Sequence, residues 1–190
     1  MPRIFVIGGP NGAGKTTVAS GLLPQILECD EYVNADAIAK ALSPFESNRA
    51  AFKAGRVMLD TIHGLADRQK DFAFETTMAS RTFAPFLKRC RGQGYEINLL
   101  FLWLHSVALA QRRVAKRVRS GGHGIPNDVV RRRYQAGLRN LLGLYIPLAD
   151  NWYVFDNSGT RARPVAASTS GGRFQLQDEL IWRRMMVITR

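Results

Sequence analysis

Residues 9–17 read Gly-Pro-Asn-Gly-Ala-Gly-Lys-Thr-Thr, and the first eight satisfy the spacing G-x-x-x-x-G-K-[ST] of a phosphate-binding loop. Gly9, Gly12 and Gly14 let the backbone take positive φ and bring its N–H groups close to phosphate oxygens. Pro10, Asn11 and Ala13 complete the loop. The helix opening near Lys15 points unpaired N–H groups and its positive dipole end at the same oxygens. Lys15 is expected to reach the β- and γ-phosphates, and the Thr16 hydroxyl to ligate Mg²⁺. Thr17 completes the nucleotide-binding set. The expectation is a nucleoside triphosphate site.

Two carboxylates follow downstream. Asp36 comes after a short apolar stretch, where a γ-phosphate would be delivered. Its expected role is to take a proton from, or orient, an acceptor hydroxyl; as a plain helix cap it would serve Ala37 onward. Glu75 ends an apolar run, where burial is costly without a partner. It would position Mg²⁺ through water or bind a substrate hydroxyl, with a structural ion pair to an arginine as the other reading. Thr76, Thr77, Ser80 and Arg81 are expected to line the acceptor pocket.

Residues 113–133 read as a lid. Two basic helices flank the glycine-rich stretch 121–126, and arginine forks neutralise charge spread over phosphoryl oxygens without a proton to lose. Arg117, Arg132 and Arg133 flank the hinge most closely; a solvated basic face is the alternative. His123, among glycines, reads as exposed. Asn157 and Ser158 stand where adenine contacts are expected.

These groups need a scaffold, and strands alternate with helices along the chain. Strands are expected at 3–7, 31–35, 72–74, 95–104 and 152–155. Helices are expected at 16–23, 37–42, 47–69 (capped by Ser47), 83–91, 107–118 and up to 142 from a cap at Asn127 or Asp128. A hairpin of 164–167 with 173–176 and a helix over 178–186 close the chain. The pattern predicts an α/β fold: a three-layer P-loop NTPase with a mostly parallel five-stranded sheet and a helical lid, in one domain over 1–190. Ligands of such sheets lie outside the carboxyl ends of the strands.

At 190 residues and 46% hydrophobic, the chain suits one full core. The formal net charge of +12, from 27 Lys+Arg against 15 Asp+Glu, favours anionic ligands. Cys29 and Cys90 lack metal-ligand spacing and read as reduced thiols. No apolar run approaches ~18 residues, and no signal peptide is seen, so a soluble, cytoplasmic protein with no membrane partner is expected.

With these residues assembled, the chain resembles the zeta-toxin family of P-loop kinases. The similar features are 9–17, Asn-Ala-Asp at 34–36 and Phe-Glu-Thr-Thr at 74–77. Gly-Gly-His-Gly-Ile-Pro at 121–126, with Val-Arg-Arg-Arg-Tyr at 130–134, is similar to the smaller chromosomal relatives. The resemblance implies a nucleotide-kinase-like fold using ATP and Mg²⁺, with a UDP-amino-sugar as acceptor in the better-known members. It implies Lys15 as phosphate-loop lysine, Asp36 as base and Glu75 as the acidic residue after the third strand. Arg117 and one of Arg132 or Arg133 would be lid arginines. An antitoxin-like protein partner is implied too, although the compact chain has no obvious extension for one.

The leading expectation is therefore an ATP-dependent kinase acting on a hydroxyl of a small or nucleotide-linked acceptor. Two other classes stay open: a polynucleotide or RNA kinase, for which the charge argues, and a slow ATP-binding regulatory module. Much of the charge falls in the lid, and no aromatic-rich basic face announces base stacking.

Overall fold

The computed structural model describes residues 1–188 except Ile26, residues 44–46, His123 and Arg173; side chains at 47–49 are likewise outside the description, and with them the expected Ser47 cap. The elements in chain order are β1 (Arg3–Gly8), α1 (Lys15–Leu22), β2 (Tyr32–Val33), α2 (Ala35–Leu42), α3 (Ser47–Asp67), β3 (Phe72–Thr76), α4 (Phe83–Gly92) and β4 (Glu96–Trp103). They continue with α5 (Val107–Arg119), α6 (Asn127–Asn140), β5 (Asn151–Asp156), β6 (Arg163–Ser168), β7 (Gln175–Leu176) and α7 (Glu179–Ile188).

The strands form one sheet in the order β2-β3-β1-β4-β5-β6-β7. The first five are parallel, as the alternation with helices requires. The apolar β1 lies between β3 and β4, so the loop that follows it leaves the middle of the sheet.

Side chains alternate along each strand, which sorts the core onto two faces. One face presents Ile4, Val6, Phe72, Phe74, Ile97, Leu99, Phe101, Trp103 and Val154 to Met58 and Ile62 of α3, to Phe86 and Leu87 of α4, to Leu138 of α6 and to Met185 of α7. On the other face Phe5, Ile7 and Ala73 meet Ala19 of α1 and the adjacent Leu23. Leu102 and Leu104 meet Ala110 and Val114 of α5 together with Val130 and Tyr134 of α6. Each large side chain buried this way contributes ~1.5–3 kcal/mol of transfer free energy. The helices are thereby fixed around the carboxyl edge of the sheet.

Four boundaries differ from expectation. The hairpin over 164–176 extends the main sheet instead of standing apart, making seven strands where five were expected. β6 pairs antiparallel to β5 and buries Val165 and Ala166, so the outer backbone groups of β5 are satisfied rather than left as an open edge. Arg173, expected in that hairpin, lies outside the described residues. β2 is only two residues long, because Asn34 leaves the sheet to cap α2. α6 starts at Asn127 directly after Pro126 with no side-chain cap, and it runs past 142 as a π-turn, Leu141–Tyr145. No described helix is long and apolar enough to cross a membrane.

Candidate active site

The loop after β1 has the backbone its glycines imply. Gly9, Gly12 and Gly14 have φ of 146°, 80° and 85°, which side-chain-bearing residues rarely adopt. A Cβ on Gly9 would stand 2.5 Å from the Leu102 carbonyl oxygen, and one on Gly12 would press on Ala110 and Arg113 of α5 at 3.0 Å. The loop is thus closed between β4 and α5. Ala13 N–H donates to the Pro10 carbonyl at 3.1 Å, and Asn11 is buried with no described partner for its Oδ1. α1 begins straight after Gly14, so its first N–H groups have no intrahelical acceptor and face the loop.

The Lys15 ammonium turns back into the loop and donates to the carbonyls of Gly9 at 3.0 Å and Pro10 at 3.2 Å. Burial pushes its pKa below the ordinary 10.5; Glu75 and Asp36 oppose that shift, while Arg117 and Arg133 add to it. Lys15 therefore feels two carboxylates, from α2 and β3, and two guanidinium groups, from α5 and α6.

Sheet register explains which carboxylate reaches it. Glu75 lies beside Ile7, and Thr76 beside Gly8, so Glu75 shares the α1 face while Thr76 points the other way. The Thr16 hydroxyl lies 2.9 and 3.1 Å from the two Glu75 carboxylate oxygens and donates to them. Tyr32 pairs in register with Ala73, which puts Tyr32 and Asn34 on the same face. Asn34 Nδ2 donates to Glu75 Oε1 and lies 3.3 Å from the Tyr32 hydroxyl. Burial first, then the Glu75 charge and its hydrogen bond, hold the Tyr32 phenol well above its usual pKa. It is a neutral donor.

Asp36 does not cap α2. Asn34 does, its Oδ1 accepting from Asp36 N–H at 2.8 Å and Ala37 N–H at 3.1 Å. The Asp36 carboxylate, 60% exposed, is left for Arg117, whose Nη1 is 3.7 Å away. Of the two other arginines expected in a lid, Arg133 is half-buried and acts on Lys15, whereas Arg132 is exposed on the outside of α6. His123, between α5 and α6 in the chain, lies outside the described residues.

The loop after β3 is held from α6. Thr76 Oγ1 accepts from Met78 N–H at 3.0 Å, so this buried threonine shapes the turn. Met78 has φ of 56°, and Asn140 Nδ2 holds it there by donating to the Met78 carbonyl at 2.7 Å and the Ala79 carbonyl at 3.2 Å. The Tyr145 hydroxyl, carried inward by the π-turn, donates to the Ser80 carbonyl at 2.6 Å. A Cβ on Gly137 would run into the Thr77 carbonyl. Thr77 is half-buried and Arg81 exposed at the mouth of this loop.

On the opposite side, Asn157 Nδ2 donates to the Ala13 carbonyl at 2.7 Å. Its amide buttresses the phosphate loop. Ser158 Oγ binds Asp156 and accepts from His105 N–H. Arg113 donates to the carbonyls of Asn157 at 2.8 Å and Ser158 at 3.0 Å, tying α5 to the end of β5.

Sequence reasoning noted Asn34 beside Asp36 but gave it no role, and it missed Tyr32, Arg113 and Asn140 as parts of the site. Strand parity was a usable signal for the first two: Tyr32 and Asn34 alternate in step. Nothing local marks Arg113 or Asn140. Among the described residues no cluster of three or more His, Cys, Asp or Glu could hold a metal by itself; the Thr16 hydroxyl, expected to ligate Mg²⁺, is hydrogen-bonded to Glu75.

Residues 4–142, which run from β1 into the π-turn after α6, match the AAA domain family AAA_33. The chain belongs to this family. The AAA_33 domain is also 28% identical over 126 residues to an uncharacterized protein of Haemophilus influenzae, covering 66% of this chain and 88% of that one. By structure it is similar to a chain of the AvrRxo1-ORF1:AvrRxo1-ORF2 crystal structure with sulphate ions, with TM-score 0.81, 15% identity and 97% of this chain covered. It spans 63% of that chain's length. The counterpart with ATP gives TM-score 0.80 at 16% identity, with 97% of this chain and 63% of that one covered. A chain of the PezAT chromosomal toxin-antitoxin system of Streptococcus pneumoniae gives 0.63 at 13% identity, covering 99% and 84%. At these identities the likeness is one of fold. The AAA_33 domain has a P-loop kinase-like fold.

Proposed function

We propose that this AAA_33 domain is an ATP-dependent phosphotransferase that moves the γ-phosphate of ATP to a hydroxyl of a small or nucleotide-linked acceptor. The observation that carries the reading is the convergence on Lys15 of Asp36 and Glu75 from the sheet edge with Arg117 and Arg133 from the lid helices. A site for binding a triphosphate alone needs the loop and the arginines. An exposed carboxylate facing the loop adds a proton acceptor.

The loop N–H groups and Lys15 would hold the β- and γ-phosphates, and Arg117 and Arg133 would neutralise charge on the transferring group. Asp36 would take the acceptor's proton. Thr77 and Arg81 would border the acceptor. Thr16, with Glu75 behind it, fits a Mg²⁺ ion, which when bound offsets charge on the β- and γ-oxygens. The related structure crystallised with ATP supports the choice of nucleotide. The zeta-toxin resemblance at 34–36 and 74–77 favours a UDP-amino-sugar among acceptors. The related structures that hold partner proteins support an antitoxin-like partner.

The decisive experiment is transfer of labelled γ-phosphate from ATP across a panel of UDP-sugars, sugars, nucleosides and RNA, with wild type beside Asp36→Ala. The variant is expected to bind ATP as wild type does and to lose transfer by ~10²-fold or more. Equal transfer by both proteins removes Asp36 from its role. Labelling of RNA alone would make this an RNA kinase.

A further inference from the structure

Asn34 is buried to 7% exposure between the two halves of the site. Its Oδ1 accepts from the N–H groups of Asp36 and Ala37 at 2.8 and 3.1 Å. Backbone N–H groups are donors only, so they fix which end of the amide points at them. The NH₂ end must face Glu75, where it donates to Oε1 and lies 3.4 Å from Thr16 Oγ1. One side chain thus caps the helix that carries Asp36 and grips the carboxylate that holds the Thr16 proton.

We propose that Asn34 is a positioning residue that locks the cation-facing pair, Thr16 and Glu75, to the helix bearing Asp36; this rests on the phosphotransfer reading above. The residue type is specific to the task. Serine and aspartate cap a helix as well as asparagine does, and threonine nearly so; aspartate has no donor, and the one oxygen of a serine or threonine hydroxyl is taken up at the cap, so no NH₂ group remains beside Glu75. Thr16 has one hydroxyl proton. While Glu75 holds it, a lone pair is turned outward for a cation. Glu75 is kept in that pose by the Asn34 NH₂ group and the Tyr32 hydroxyl; with Asn34 removed, its carboxylate can swing toward Lys15, whose charge it already senses. Outer-shell groups of this kind change metal affinity when they are lost.

The test separates the two ends of the amide. Asn34→Thr and, as a second variant, Asn34→Ser keep the cap and delete the NH₂ group that reaches Glu75; Asn34→Ala deletes both. ATP affinity is measured by calorimetry with and without Mg²⁺, and amide hydrogen exchange reports on α2. The threonine and serine variants are expected to keep α2 protection and metal-free ATP affinity. The gain in affinity from Mg²⁺ falls ~10-fold. Because Asn34 acts through Glu75, adding Glu75→Gln to either variant should cost nothing beyond Glu75→Gln alone. The alanine variant should also lose α2 protection. A full Mg²⁺ gain in both capping variants, or additive losses with Glu75→Gln, overturns the proposal even when wild type transfers phosphate. Conversely, a wild type that labels no acceptor yet shows this Mg²⁺ pattern leaves Asn34 in its role and ends the kinase reading.

Discussion

Arg117 Nη1 lies 3.7 Å from Asp36 Oδ2, joining the last turn of α5 to the first turn of α2. At 41% and 60% side-chain exposure, solvent screening leaves the pair worth ~0–1 kcal/mol. Its importance is where it puts the two groups. The guanidinium and the carboxylate meet above the loop that holds Lys15, and α5 is itself tied to the far side of that loop through Arg113.

Arg117→Ala is accordingly expected to cost at most about 1 kcal/mol in thermal denaturation. Transfer should fall by ~10²–10³-fold, as when one charge-stabilising donor is removed from a transition state. A loss of stability without a loss of transfer would show that the pair is structural.

Gly122 should matter for the same reason at one remove. Its N–H donates to the Arg117 carbonyl at 2.9 Å, and a Cβ there would stand 2.5 Å from Arg117 Cγ and 2.9 Å from its carbonyl oxygen. Gly121 beside it has φ of 83°, so the two glycines close α5 onto the stem of Arg117. Gly122→Ala is expected to lower transfer in the direction of Arg117→Ala, with little further loss in the double variant. Additive losses in kinetic assays of the pair would argue against this.

Alkaline pH should weaken ATP binding earlier than an ordinary lysine would allow. Burial lowers the Lys15 pKa in the free protein, and phosphate oxygens would restore it. Between the lowered value and 10.5, binding must therefore take up a proton, and affinity declines as pH rises through that window. Folding runs the other way there: the unfolded chain binds more protons at Lys15, so its contribution to stability rises with pH. Calorimetry in buffers of different ionisation enthalpy detects the uptake, and Lys15→Met should abolish it.

Asn140→Ala removes the two hydrogen bonds that hold Met78 and Ala79, including the turn in which Met78 keeps its positive φ. The expected cost is ~1–3 kcal/mol for carbonyls left without their donor. On the proposed reading the loop over 77–80 borders the acceptor, so KM for the acceptor should rise well above the change for ATP. Equal changes in both KM values would place the loop elsewhere in the reaction.

The phosphate loop was legible because its function is local. Gly9, Gly12, Gly14, Lys15 and Thr16 act through the backbone of one turn and the helix after it, so spacing alone carries the chemistry. The strands were legible for a related reason: buried parallel strands are short apolar runs, and Phe72 to Phe74 or Leu99 to Leu102 announce themselves. Spacing put Asp36 and Glu75 just past the second and third strands, whereas the structure sets Asp36 in the first turn of α2 and Glu75 within β3.

Partners distant in the chain were a different matter. Which face Glu75 takes depends on its register with Ile7, and no local signal sets that register. Asp36 was read as a possible helix cap, and only the structure gives the cap to Asn34, whose Oδ1 accepts the Asp36 and Ala37 N–H groups. Arg133 was separated from Arg132 only by the packing of α6, and the hairpin at 164–176 joined the sheet because β5 had an edge to satisfy. Sequence by itself determined the phosphate loop, the strand alternation and the residue types available. Tertiary structure decided which of them meet, because side-chain direction follows from strand register and helix packing, and both are settled by burial summed over the whole chain.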